Sequence, residues 1–138
     1  MSEQPDAVEQ ALRALRYRDQ TTAELSARLA KRGVGGAERE QALETLERIG
    51  YVDDERFART RAEQLAARGS GDALIRHDLE GRGVGAEQVE AALEALESER
   101  ERAARLVEQR GLSIKTARYL ASRGFGSDAL EWAVAREE

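Results

Sequence analysis

The sequence predicts an all-α protein built from three tandem three-helix modules in an elongated or curved arrangement. Charged residues make up 36% of the 138 positions and aromatic residues only 4%, and Pro5 is the single proline, a composition typical of helical proteins. A seven-residue pattern also occurs three times along the chain. Because a module of this size buries little apolar surface alone, we expect the modules to pack against their neighbours.

The repeated pattern is Leu-x-x-Arg-Gly-(Val/Phe)-Gly, at residues 29–35, 79–85 and 120–126. Its first glycine suits the left-handed position that ends many helices. Seven residues before each leading leucine stands a residue whose side-chain oxygen is suited to capping a helix N-terminus. These predicted N-caps are Thr22, Asp72 and Ser113.

Two further helices are predicted for each repeat. The upstream helices are expected over about 6–18, 53–68 and 99–110. Downstream, apolar residues at spacings of three and four lie on one helical face: Ala42, Leu43 and Leu46; Ala92, Leu93 and Leu96; Ala133 and Val134. The predicted modules therefore span 1–52, 53–97 and 98–138. The repeat glycines are 50 and then 41 residues apart, unlike a regular solenoid with a period of about 34.

The segment between the first two repeats has the features of a helix boundary. Gly50 is suited to ending one helix, and Asp53 to capping the next. Asp54 and Glu55 then place negative charge near the positive end of the helix dipole. These acids are therefore interpreted as capping groups rather than catalytic ones.

Three stretches of the chain resemble the RecX regulatory family. Residues 50–58, Gly-Tyr-Val-Asp-Asp-Glu-Arg-Phe-Ala, resemble its most characteristic stretch. Residues 71–84, Gly-x-x-x-Ile-Arg-x-x-Leu-x-x-Arg-Gly-Val, are similar to its second signature, and residues 22–33 to its first repeat. The resemblance extends from about Ala7 to the end of the chain. Arg61 departs from the family pattern, since many relatives have an aromatic or aliphatic residue there.

The resemblance implies a regulator that binds the RecA recombinase filament. Family members lower the ATPase, strand-exchange and co-protease activities of RecA, which limits homologous recombination, DNA repair and the SOS response. We also expect a monomer that contacts single-stranded DNA through the filament, needs no cofactor and is not an enzyme.

The residues themselves give little support to catalysis or membrane association. The glycines at 33–36 lack the lysine and hydroxyl residue of a nucleotide-binding loop. Without cysteine and with His77 as the single histidine, no nucleophilic set or metal-ligand cluster is evident. No apolar run is long enough to span a bilayer, and the polar N-terminal residues do not resemble a signal peptide. A cytoplasmic location is therefore expected.

Arginine and lysine clusters are the candidates for partner contact. One cluster lies in the first predicted module and another in the third, where Arg102 and Arg110 also belong to it. Such residues contact carboxylates or phosphates, or else form ion pairs on a solvated helix face, as Glu101 and Arg105 are spaced to do. The candidates are Arg13, Arg16, Arg18, Arg28, Lys31, Arg32, Arg56, Arg76, Arg100, Arg105, Lys115, Arg118 and Arg123.

Two other classes of function remain open. A helical DNA-binding regulator is one, with a helix in the major groove, but the net charge is −5 and residues 53–97 hold six arginines against eleven acids. A helical scaffold for another protein is the second. Tyr119 and Phe125 are suited to stacking on bases, although their spacing beside Leu120 favours core packing.

Overall fold

The protein folds entirely into α-helices over residues 6–137, the part of the chain that the computed structural model describes. No strand occurs within this range, which confirms the predicted fold class. The N-terminal residues 1–5, whose polar character contributes to the expected cytoplasmic location, lie outside the described residues. The helices are α1 Ala7–Leu15, α2 Thr22–Lys31, α3 Gly36–Arg48, α4 Asp54–Ala67, α5 Asp72–Gly81, α6 Ala86–Glu94, α7 Glu99–Arg110, α8 Ile114–Ser122 and α9 Ser127–Glu137.

The contacts divide the chain into two compact units. Of the described residues, the first unit contains 6–57 together with Arg82–Val84. The second contains Ala58–Gly81 and residues 85–137. The three-module boundaries at 52 and 97, and the elongated arrangement, stay predictions.

The repeated glycines end α2, α5 and α8 as the sequence predicts. Gly33, Gly83 and Gly124 have φ angles of +86°, +83° and +89°, the left-handed region that glycine adopts without a Cβ clash. After the first and third of these glycines, the next residue forms a backbone hydrogen bond to the helix that has just ended. The Val34 N–H donates to the carbonyl of Leu29 and the Phe125 N–H to that of Leu120, each at 3.1 Å.

Two of the three predicted N-caps of the repeat helices are wrong. Ser113 does cap α8, and its hydroxyl accepts from the Thr116 N–H at 3.1 Å. Thr22 and Asp72 are instead the first residues of their helices. The reason is that α8 has 9 residues, whereas α2 and α5 have 10. Counting seven residues back from the leucine therefore reaches the N-cap of α8 but the first helical residue of α2 and α5.

Thr21 is the true N-cap of α2. Its hydroxyl accepts from the Glu24 N–H, and the Glu24 carboxylate accepts from the Thr21 N–H, both at 3.1 Å. This reciprocal pair is a capping box, which satisfies two backbone donors at once. The spacing Thr21-x-x-Glu24 is the sequence signal for it.

The predicted boundary before α4 is confirmed. Gly50 follows the end of α3 with a φ of +85°, and the Asp53 carboxylate accepts from the Arg56 N–H at 3.0 Å. The first helix is shorter than predicted, since α1 ends at Leu15 and not near Arg18. The Gln20 side chain donates to the Ala14 carbonyl near that end. Leu96, placed on a helical face by its spacing, lies beyond α6.

Each unit has its own apolar core, made mostly of alanine, leucine and valine. In the first unit α1, α2 and α3 bury Ala11, Ala14, Leu25, Leu29, Val34, Leu46 and Val52. In the second, one core cluster from α7, α8 and α9 contains Ala103, Ala104, Val107, Leu120, Phe125, Ala129 and Ala133. Phe125 is therefore a core residue, and Tyr119 packs partly buried against the same cluster.

Candidate partner-binding surfaces

The start of α2 is held by the start of α4 within the first unit. The Thr22 N–H and hydroxyl each donate to an oxygen of the Asp54 carboxylate, both at 2.8 Å. The neighbouring Thr21 hydroxyl donates to the Arg82 carbonyl at 2.6 Å, and the Arg82 guanidinium contacts Glu24 at 3.2 Å. Asp54 thus satisfies a helix N-terminal donor of another helix, and its carboxylate is committed to structure.

The second unit repeats this arrangement with different residues. The first residue of α5, Asp72, donates its N–H to the carboxylate of Glu99, the first residue of α7, at 2.6 Å. The preceding Gly71 N–H donates to the Arg123 carbonyl at 2.7 Å. In both units the carboxylate of an acid at the start of one helix therefore accepts from the first N–H of another helix. The residue that precedes this N–H donates to the carbonyl of the repeat-turn arginine.

Glycine is required where the backbones meet in the second unit. A Cβ on Gly71 would lie 2.5 Å from the backbone of Gly124. A Cβ on Gly124 would lie 2.7 Å from the Leu74 nitrogen. Two backbones approach closely only where side chains are absent, so both glycines are fixed by packing as well as by turn geometry.

Two arginines of the third predicted module point into the protein. Arg102 is only 8% exposed and donates to the carbonyls of Ser70 and Glu97, both at 2.9 Å, and to the Asp72 carboxylate. Arg123 donates to the Ser70 hydroxyl at 3.2 Å, and its Nε is buried without a partner. Arg102 in particular is committed to holding the start of α5.

Other candidate arginines are engaged at the surface. Arg76 forms a two-point ion pair with Glu90 at 2.8 and 3.2 Å. This hydrogen-bonded contact raises the pKa of Arg76 and lowers the pKa of Glu90. Arg18 lies 3.7 Å from Glu24, and Arg56 donates to the Gly50 carbonyl at 3.3 Å.

One predicted ion pair is wrong. Arg105 contacts Glu97 at 2.7 Å rather than Glu101, the residue four positions before it. Glu101 instead receives two hydrogen bonds from Arg136 of α9, at 2.7 and 2.9 Å. The packing of α9 on α7 brings Arg136 to Glu101, and the spacing of residues within α7 does not reveal this contact.

The remaining candidates are exposed and form no ion pair with any side chain that the structure describes, which are those of residues 6–136. Arg28 and Lys31 on α2, and Arg32 just after it, border an open depression of about 470 Å³, together with Arg18 and Glu24. On α8, Lys115 and Arg118 face solvent. The full set is Arg13, Arg16, Arg28, Lys31, Arg32, Arg100, Lys115 and Arg118.

The sequence prediction missed the apolar residues beside the α8 cations. Leu112 is 49% exposed and Ile114 is 72% exposed. The signal was present, because Ile114 follows the N-cap Ser113 and lies four residues before Arg118 on the outer face of the helix. Tyr119, one of the residues suited to base stacking, is instead covered by the Arg110 guanidinium, 3.5 Å from its ring centre.

Comparison with known proteins agrees with the helical repeat. Residues 7–46 match the family model described as the first three-helix domain of RecX, and residues 53–93 match its second three-helix domain. A regulatory protein RecX from Thermus thermophilus is 40% identical over 136 residues, covering 96% of this chain and 94% of the relative. The chain belongs to the RecX family.

Further RecX comparisons support both the sequence relationship and the fold. RecX of Syntrophotalea carbinolica is 41% identical over 101 residues, which cover 72% of this chain and 65%, just under two thirds, of that relative. The crystal structure of RecX from Lactobacillus salivarius aligns with a TM-score of 0.82 over 94% of this chain and 93% of that one, at 17% identity. The latter likeness concerns the fold.

The departure from the RecX pattern at Arg61 is matched by a partner. The Arg61 guanidinium donates to both oxygens of Asp78 at 3.0 Å, joining α4 to α5. A planar guanidinium fits this two-point contact, which an aromatic or aliphatic side chain does not make. Within residues 6–137, no helix is long and apolar enough to cross a membrane.

Proposed function

We propose that this chain binds the RecA recombinase filament in the cytoplasm and lowers its ATPase, strand-exchange and co-protease activities. The observation that carries the proposal is the relationship to proteins named regulatory protein RecX over nearly the whole chain. The chain would act by binding rather than by catalysis, and it would thereby restrain homologous recombination and the SOS response.

The contacts are assigned to cations that the fold leaves available. The available cations are exposed and have no ion-pair partner among the described residues: Arg28 and Lys31 on α2, Arg32 at its C-cap, and Lys115 and Arg118 on α8. Such cations gain most from an oppositely charged partner, since no internal contact must first be broken. Arg102 and Arg123 are less suited to this role because both donate to groups inside the second unit.

Binding to one state of the filament gives a mechanism for inhibition. A ligand shifts an equilibrium only by its difference in affinity between two states. If the chain binds the less active filament conformation more tightly, it lowers turnover without touching the ATP site. Contacts with several filament subunits at once would strengthen binding without any single tight contact.

A binding experiment separates this proposal from the two alternatives. Fluorescently labelled chain is titrated with the cognate RecA filament on single-stranded DNA, with that DNA alone, and with duplex DNA at several salt concentrations. The proposal predicts binding to the filament at concentrations where DNA alone gives none. Binding to duplex without RecA, with a steep salt dependence, would identify a direct DNA-binding regulator. Binding to none of them would leave a scaffold for another partner.

A further inference from the structure

Helix α8 differs in charge from every other helix of the described chain. Each of the other helices contains at least one Asp or Glu, whereas α8, Ile-Lys-Thr-Ala-Arg-Tyr-Leu-Ala-Ser, contains none. No acid occurs anywhere in residues 109–127, in a protein whose net charge is −5. This is the longest acid-free stretch of the sequence.

The outer face of α8 combines cations with exposed aliphatic side chains. Thr116 and Leu120 are buried on the inner face, and Ile114, Lys115 and Arg118 are exposed on the opposite one. Leu112, in the turn before the helix, is half-exposed. We call Leu112, Ile114, Lys115 and Arg118 the α8 patch.

The cations of the α8 patch are not used by the fold. Lys115 and Arg118 make no hydrogen bond or ion pair through their side chains to any of residues 6–136, whose side chains the structure describes. Their basic neighbours differ, because Arg110 lies over the Tyr119 ring and Arg123 donates to the Ser70 hydroxyl. The two unpaired cations are therefore available to a partner.

We propose that the α8 patch docks on a protein surface of the filament where carboxylates surround an apolar contact. This inference rests on the proposed function and names the surface that carries it. Exposed aliphatic groups adjacent to unpaired cations are typical of protein interfaces, with an apolar centre and a polar rim. A phosphate backbone would use Lys115 and Arg118 but would leave Leu112 and Ile114 in water, so the patch fits a protein better than DNA.

The matched control for the α8 patch lies at the end of α3. Arg48 is exposed without an ion-pair partner among the described residues, and Ile49 is 55% exposed. The double variant R48E/I49S therefore makes the same chemical change as I114S/R118E at a surface that differs in charge, because Glu44 and Glu47 lie within one turn of Arg48 whereas α8 contains no acid. Circular dichroism melting of both variants checks that the fold survives.

The test is the affinity of each variant for the RecA filament on single-stranded DNA, measured by co-sedimentation. I114S/R118E is expected to raise Kd by about tenfold or more, because it removes both apolar burial and charge complementarity. R48E/I49S is expected to stay within about twofold of the parent chain, as surface changes away from an interface usually do. Each single variant, I114S and R118E, is expected to contribute measurably.

Other outcomes would overturn the proposal in distinguishable ways. If the parent chain binds the filament and I114S/R118E binds equally well, the α8 patch is not the contact while the proposed function stands. If R118E weakens binding and I114S does not, and the parent chain binds the oligonucleotide alone, the occupant is DNA. If light scattering shows a dimer that I114S/R118E dissociates, the occupant is a second copy. If the parent chain does not bind the filament, both proposals fail.

Discussion

The first backbone N–H of α2, at Thr22, donates to the carboxylate of Asp54 at the start of α4, 32 residues later. The Thr22 hydroxyl binds the other carboxylate oxygen. An acid that the sequence presents as part of its own helix start therefore serves another helix. Glu99 has the equivalent relationship with Asp72 in the second unit.

Removing the Asp54 carboxylate is expected to destabilise the protein. D54A leaves the Thr22 N–H and hydroxyl without their charged acceptor, which should lower the free energy of unfolding by about 1–3 kcal/mol. D54N keeps an acceptor oxygen and should lose less. Urea denaturation followed by circular dichroism measures both. As a control, E40A removes an exposed acid of α3, and a D54A value equal to the E40A value would contradict the role assigned to Asp54.

The buried Arg102 is expected to contribute more than an exposed arginine of the same helix. R102M would leave the Asp72 carboxylate and the Ser70 carbonyl without their donor, and because water still reaches Asp72 the cost in unfolding free energy should be about 1.5–3 kcal/mol. R100M, at an exposed position of α7, should change it by less than about 0.5 kcal/mol. Equal denaturation midpoints for the two variants would show that the Arg102 contacts do not stabilise the fold.

Gly71 lies just before α5 and Gly81 is its last residue. Alanine substitution at the two positions should affect stability differently. G71A places a Cβ 2.5 Å from the Gly124 backbone, so a loss of about 1–3 kcal/mol is expected. G81A meets nothing within 4 Å, and alanine there restricts the unfolded chain, so stability should be unchanged or slightly higher. Thermal unfolding of the pair decides the matter. A melting temperature for G71A at or above that of G81A would contradict the close approach.

The ion pair between Arg76 and Glu90 predicts a pH dependence at one carboxyl group. Because the folded-state pKa of Glu90 is lowered, the contribution of the pair is fully present above the ordinary glutamate pKa of about 4.3 and is lost as pH falls through the folded value. Both side chains are exposed, so water screens the effect on stability. In a carboxyl NMR titration, R76M should move the pKa of Glu90 upward. An unchanged midpoint would show that the pair does not persist in solution.

The helix ends that depend on local sequence were predictable. Gly33, Gly83 and Gly124 end their helices because a left-handed residue is favoured at that point, and a pattern of seven residues shows it. Thr22 and Asp72 were misplaced by one position as caps because the three repeat helices differ in length. The capping spacing from Thr21 to Glu24 gives the correct start of α2.

The candidate surfaces were less predictable, because pairing across the fold decides which cations are available. Arg102 and Arg100 look equivalent in sequence, yet Arg102 donates to the Ser70 carbonyl, 32 residues away. Arg105 and Glu101 have suitable spacing, but Glu97 and Arg136 are the partners that the fold brings to them. The exposure of Ile114 likewise depends on which face of α8 packs against its neighbours.

The measurement that tests the central claim most directly is ATP hydrolysis by the cognate RecA on single-stranded DNA. The full chain is titrated from substoichiometric to equal molar ratios against a fixed amount of filament. The proposal predicts a dose-dependent fall in the rate, with R48E/I49S acting like the parent chain and I114S/R118E requiring a higher concentration. A rate unchanged at every ratio, with RecA filaments pelleting as they do alone, would contradict the claim that this protein regulates RecA.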